Sequence, residues 1–212
     1  MKITIPTSLQ EITINQWLKF QKTVKPDMDT DIISIHLVSI FCNLSLEDTL
    51  KISAKDFKDI VKTVTETVNS KPNFKQRFTF NGVEYGMIPN LDMMSAGEYI
   101  DMDKYYSTDV LKFMSVLFRP ITNKVFNTYQ IETYKGSNND LLESPIENYL
   151  GANVFFYNLR NELLNATSHY FQQLKQQDKE ALEEVLIKNG GGINQFTQLL
   201  TETFTTLTKQ PN

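Results

Sequence analysis

The sequence predicts a mainly α-helical α+β fold: a helical domain that holds a small antiparallel β-hairpin or sheet, followed by a C-terminal helical extension. Three observations predict it. Asn81-Gly82 lies between two aromatic, β-prone runs, the strongest local signal for a two-residue type I′ hairpin. Helix-start signals, a Ser or Thr followed three residues later by an acid or glutamine, recur along the chain. Between those starts, apolar residues fall at helical spacing.

Taken in order, residues 2–5 read as a short strand or extended arm ended by Pro6. Thr13 caps a helix from Ile14, with Gln16 in the capping-box position, and Pro26 stops it. Trp17, Phe20 and Val24 form its apolar stripe. A second helix over 29–42 is apolar nearly all round, which predicts a central buried helix. Ser45 with Asp48 caps a short helix, and Ser53 with Asp56 caps another whose buried face is Phe57, Ile60, Val61, Val64 and Val68. In the hairpin, over 74–88, Phe78, Phe80, Val83 and Tyr85 share one face while Thr79 and Glu84 take the other. That aromatic side needs a cover, and the helices are the expected one.

Ser95 opens a further helix with Glu98 three residues later. Thr108 is the expected cap of the next, VLKFMSVLF, which ends at Arg119-Pro120. Residues 125–134 read as a second extended pair. Ser144-Pro145 starts the longest helix, to about residue 175, with proline at its first position. Gly151 interrupts that helix and marks either a kink or a close helix approach. The globular domain is read as 1–176 and the extension as 177–212, hinged at Gly190, Gly191 and Gly192.

Composition narrows the function classes. The 212 residues suffice for one large domain, or one domain with an appended helical piece, and 14 Phe and 9 Tyr supply a sizeable core. A net charge of −4 without a Lys/Arg cluster argues against a phosphate-neutralising surface, so no nucleic-acid partner is expected. The sole cysteine, Cys42, lies in an apolar run and reads as a buried inert thiol. There is no secretory apolar region at the N-terminus and no run of membrane-spanning length, so a soluble protein of a reducing cytoplasm, without a membrane partner, is expected.

Chemistry is sparse. His36 and His169 lie in different helices with no ligand at metal spacing. Glu98, Asp101 and Asp103 form the densest acidic cluster, but the spacing suits the solvated first turns of a helix better than a cation loop. No nucleophile elbow, phosphate loop, dinucleotide fingerprint or zinc-protease motif occurs. No catalytic, cofactor-binding or metal-binding residue is therefore expected, no cofactor, and no enzyme.

Two features point to protein partners. Beyond the glycines, Ile193, Phe196, Leu200 and Leu207 fall on a heptad-like stripe that Leu199 and Phe204 widen. A short amphipathic helix on a tether needs a surface, either a partner's or its own domain's. Arg119, at the expected end of a helix, either complements the helix dipole or reaches an intermolecular salt bridge.

The order of these segments carries a resemblance. The tight Asn-Gly hairpin is followed by YGMIPNLDMMSAGEYIDMDKY, VLFRPI, YQIETYKG and a long helix containing Phe155-Phe156. Over residues 1–172 this resembles small virion or assembly proteins of tailed bacteriophages that infect Bacteroidetes, including the crAss-like phages. The resemblance implies a non-enzymatic structural protein of the virion, assembled in the host's cytoplasm. The role it favours is an auxiliary at the portal vertex or neck, bridging portal and capsid subunits in several copies around a ring. An assembly chaperone absent from the finished particle and a packaged cargo protein are the alternatives it leaves. Residues 180–212 have no counterpart in the pattern.

Overall fold

Short polar side chains set where the helices begin. The structure is a computed structural model that describes residues 2–106, 108–126, 128–137 and 139–173. The Thr13 hydroxyl accepts from the Gln16 N–H while the Gln16 side chain accepts from the Thr13 N–H, so α1 (Ile14–Thr23) opens on a full capping box. Asp29, Ser45 and Ser53 cap α2 (Thr30–Phe41), α3 (Leu46–Leu50) and α4 (Ala54–Val68) by accepting one N–H each. Each cap satisfies donors that a helix leaves open at its own start.

The centre of this helical part is narrower than the sequence suggests. Of α2, Leu37, Val38, Ile40 and Phe41 are buried, but Ile32 is 46 % exposed and Ile33 and Ile35 are half-buried. The contacts of α1 gather at the buried half: Phe20 meets the Phe41 ring at 5.1 Å, and the Gln16 amide donates to the Ile40 carbonyl. Periodicity reports an apolar helix; it does not report how far its neighbours reach along it.

The N-terminal arm fastens distant parts of the chain. The Pro6 carbonyl accepts from the buried Thr67 hydroxyl near the end of α4. Ile146 N–H donates to the Ile12 carbonyl, and Ile14 N–H to the Ser144 carbonyl, around a bridge between Thr13 and Pro145. Ile12, Ile14, Leu141 and Ile146 are buried at this junction.

Four strands form one antiparallel sheet in chain order: β1 (Arg77–Phe80), β2 (Val83–Met87), β3 (Phe118–Val125) and β4 (Thr128–Ile131). Asn81 (φ 49) and Gly82 (φ 76) both take the left-handed conformation that a type I′ turn requires, in the expected register with Phe80 opposite Val83. Phe78 stacks on Tyr85 at 5.5 Å and meets Phe118 edge-on at 5.3 Å, so β3 extends the aromatic face within the sheet, while Phe78, Phe80 and Tyr85 stay half-buried and Val83 is 41 % exposed.

Between β2 and β3 run α5 (Ala96–Tyr105) and α6 (Val110–Leu117). Two expectations are corrected here. The cap of α6 is Asp109, whose carboxylate accepts from the Lys112 N–H, while the Thr108 hydroxyl donates to Lys104. The helix also ends at Leu117, and Phe118 begins a strand, so Arg119 is not at a helix terminus. Pro120 cannot continue a helix, and β2 offers Phe118 and Arg119 a ladder opposite Met87 and Gly86. Phe113, Met114, Val116 and Leu117 carry α6 into the core.

The last described helix is α7 (Ile146–Gln173). Gly151 marks a close approach: a Cβ there would lie 2.9 Å from the Phe74 Cα. The chain divides into two compact units, Met1–Val154 and Phe155–Asn212, and α7 runs across the division. The fold class is the expected α+β, with seven α-helices and one four-stranded antiparallel sheet among the described residues. The boundary read at 176/177 and the glycine hinge at 190–192 lie outside the described residues.

Candidate functional site

Two members of the acidic cluster of α5, Glu98 and Asp101, are used internally. Glu98 is the third residue of its helix, where its carboxylate accepts from the Ser95 N–H and completes a capping box. The same carboxylate pairs with the Arg119 guanidinium, and both residues are buried. Burial alone would raise the Glu98 pKa; the Ser95 hydrogen bonds and the Arg119 charge outweigh it and hold the carboxyl below the usual carboxylate range. One turn on, Asp101 accepts from the Tyr134 hydroxyl at 2.5 Å. Burial, followed by that hydrogen bond to a carboxylate, pushes the Tyr134 phenol well above the usual tyrosine range. The Arg119 guanidinium lies 5.5 Å from the Tyr134 ring centre, a cation–π contact, and its Nε is buried without a hydrogen-bond partner among the described residues.

Glu98, Arg119, Asp101 and Tyr134 thus fasten α5 to the start of β3 and to the segment after β4. Among the described residues no three His, Cys, Asp or Glu side chains could hold a metal ion. The partner-binding stripe Ile193, Phe196, Leu199, Leu200, Phe204 and Leu207 lies outside the described residues, as does the side chain of His169. Cys42 is buried, as its apolar run predicts, and burial pushes its thiol up to about 11.

A different surface emerges from β3. Phe118 and Arg119 are buried, Pro120 and Ile121 half-buried, and all four residues from Thr122 to Val125 exposed. Strand residues point alternately to opposite faces, so four exposed residues in succession mean that neither face is covered. β3 leaves the body and β4 returns alongside it, with Val125 paired to Thr128. Val125 is 53 % exposed and Phe126 fully exposed (101 %), with Phe126 at φ 53. A bulky side chain in the left-handed region costs about 1–3 kcal/mol and belongs to the backbone outliers that concentrate at functional sites. The extended pair expected over 125–134 is corrected: the strands that pair are Phe118–Val125 and Thr128–Ile131, so only β4 lies wholly in that range, and the Phe-Asn dipeptide, which is no turn signal, left the tip unmarked. The signal available was the polar Asn127-Thr128 step between two β-prone runs.

The base of this finger is well anchored. The Tyr129 hydroxyl donates to the Met87 carbonyl at 2.7 Å, and its ring lies over Gly86, where a Cβ would come within 2.4 Å of it. The guanidinium of Arg77 sits 5.8 Å from the same ring, and Lys124 pairs with Glu84 across to β2. Beside the base opens a shallow cleft of about 650 Å³, with Pro89, Tyr129 and Ile131 among its walls and Glu132, Thr133 and Lys135 on its polar side. Neither Asp101, Asp103 nor a histidine lines it.

The chain was compared with protein-family models, curated proteins and solved structures: no family model matches it, and neither a curated protein nor a solved structure does.

Proposed function

We propose that the chain is a non-enzymatic structural component of a phage particle, an auxiliary protein at the portal vertex or neck that bridges portal and capsid subunits. One observation carries the interaction role: Phe126 stands fully exposed at the apex of a finger with a backbone conformation that costs folding energy. A strained aromatic that buries nothing within its own unit gains its use in a contact with another protein, where aromatics are the commonest anchors. The sequence resemblance over 1–172 supplies the setting of a phage particle. The net charge of −4 favours protein over nucleic acid as partner. The apolar stripe that the sequence places at Ile193, Phe196, Leu199, Leu200, Phe204 and Leu207 is the second proposed contact, and two linked contacts strengthen each other through effective concentration.

Co-expression with the portal and capsid proteins of the same phage genome, followed by affinity capture on this chain, tests the bridging role. Stoichiometric retention of either protein, reduced in Phe126→Asn, is expected. Retention of neither by the full-length chain contradicts it.

A further inference from the structure

The finger and the cleft at its base are complementary. Counted from the paired residues Tyr85 and Pro120, β3 continues five residues to Val125, whereas β2 continues two before its turn. At about 3.3 Å per residue, the β3–β4 tip reaches about 10 Å beyond the neighbouring hairpin. An irregularity between Ile121 and Asn123 changes the register where the finger leaves the body, the position at which a bulge re-aims a strand. The apex is apolar, through Val125 and Phe126, and the stem is neutral and polar apart from the ion pair of Lys124 with Glu84. The cleft offers a mixed counterpart: Pro89, Tyr129 and Ile131 supply its apolar part, Thr122, Gln130 and Thr133 its neutral polar part, and Glu132 and Lys135 one charge of each sign. The cleft is shallow and open, with a volume of about 650 Å³, so a ring can reach it from solvent.

We infer that the finger of one copy docks Phe126 into the Pro89–Tyr129–Ile131 cleft of a second copy, head to tail. The Lys124–Glu84 pair then meets Glu132 and Lys135 of the receiving copy, one charge of each sign against one of each. A finger that enters a cleft on a different part of the next molecule makes a heterologous contact, and such contacts build rings or open chains rather than closed pairs. An anionic membrane or a nucleic acid is the poorer occupant, because Lys124 is the finger's one cation and Glu84 already neutralises it. Two apolar side chains bury far less than the ~1,600 Å² of a stable complex. The contact is therefore weak between free molecules and fills when copies are held side by side. It rests on the proposed function only for that setting; the contact itself belongs to the purified chain.

Sedimentation velocity of the purified full chain, up to a concentration of about 1 mM, tests it. The wild type is expected to form a concentration-dependent series of oligomers. Phe126→Asn, which suits a left-handed backbone and removes the ring, is expected to stay monomeric while its thermal midpoint rises by about 2–4 °C. Thr133→Trp fills the cleft from an exposed position and is also expected to stay monomeric. An equimolar mixture of the two variants retains one intact finger and one intact cleft, and is expected to form a 1:1 dimer and nothing larger. A wild type that remains monomeric throughout overturns the inference, as does unchanged association of either variant. A mixture that does not dimerise also overturns it, because the contact would then not be finger to cleft. None of these outcomes bears on whether the chain is found in phage particles, which is measured separately.

Discussion

Glu98 and Arg119, 21 residues apart in sequence, meet in a buried ion pair that joins the first turn of α5 to the start of β3. Glu98 serves two purposes at once, capping its helix through Ser95 and holding the guanidinium. Removing one member strands a buried charge, which costs about 3–5 kcal/mol, more than replacing both. Arg119→Met is therefore expected to lower the unfolding free energy by about that amount in urea titrations. Glu98→Gln/Arg119→Met, in which the glutamine retains the cap and carries no charge, is expected to recover part of the loss. A cost below about 1 kcal/mol for the single change would place the pair among weak surface bridges.

The same pair makes stability depend on acid. The folded-state pKa of Glu98 lies below its ordinary value of 4.5, so the unfolded chain takes up the proton first as pH falls. The contribution is complete above 4.5 and is lost as pH falls through the lowered folded value. Thermal midpoints measured from pH 7 down to pH 3 are expected to fall more steeply for wild type than for Glu98→Gln. Parallel curves would mean that Glu98 does not supply this dependence.

Two glycines are fixed by what lies against them. A Cβ at Gly86 meets the anchored Tyr129 ring, and one at Gly151 meets the Phe74 backbone at 2.9 Å. Overpacking of this kind costs about 1–3 kcal/mol. Gly86→Ala and Gly151→Ala are each expected to lower stability by that range, and Gly97→Ala, where a Cβ meets nothing, is not. Chemical denaturation of the three variants ranks them.

Cys42 is buried with its pKa raised to about 11 by that burial, so little thiolate exists at neutral pH and little of it is reachable. A disulfide reagent is expected to label the native protein slowly and in step with its opening, then completely in denaturant. Rapid stoichiometric labelling of the native chain would contradict the packing of the C-terminal end of α2.

Local chemistry was legible in the sequence wherever one short segment determines the outcome. The two capping boxes at Thr13 and Ser95, the Asn81-Gly82 turn and the α+β class all follow from neighbours within four residues. What required tertiary partners was not legible. Phe118 reads as the end of an apolar helix, and becomes a strand because β2 presents a ladder to it. Arg119 reads as a helix end because the apolar run stops at Arg119-Pro120, and its partner Glu98, already a capping residue, leaves no trace of its second role in spacing. The finger tip was hidden for a related reason. Turn statistics favour Asn and Gly, and Phe126 departs from them.

Quantitative mass spectrometry of purified phage particles tests the proposed particle role most directly. The account predicts the chain in stoichiometric amount, several copies for each portal ring, and at reduced occupancy when Phe126 is replaced by Asn. Its presence in the lysate but absence from finished particles would contradict the structural role, and would identify an assembly factor that departs before completion.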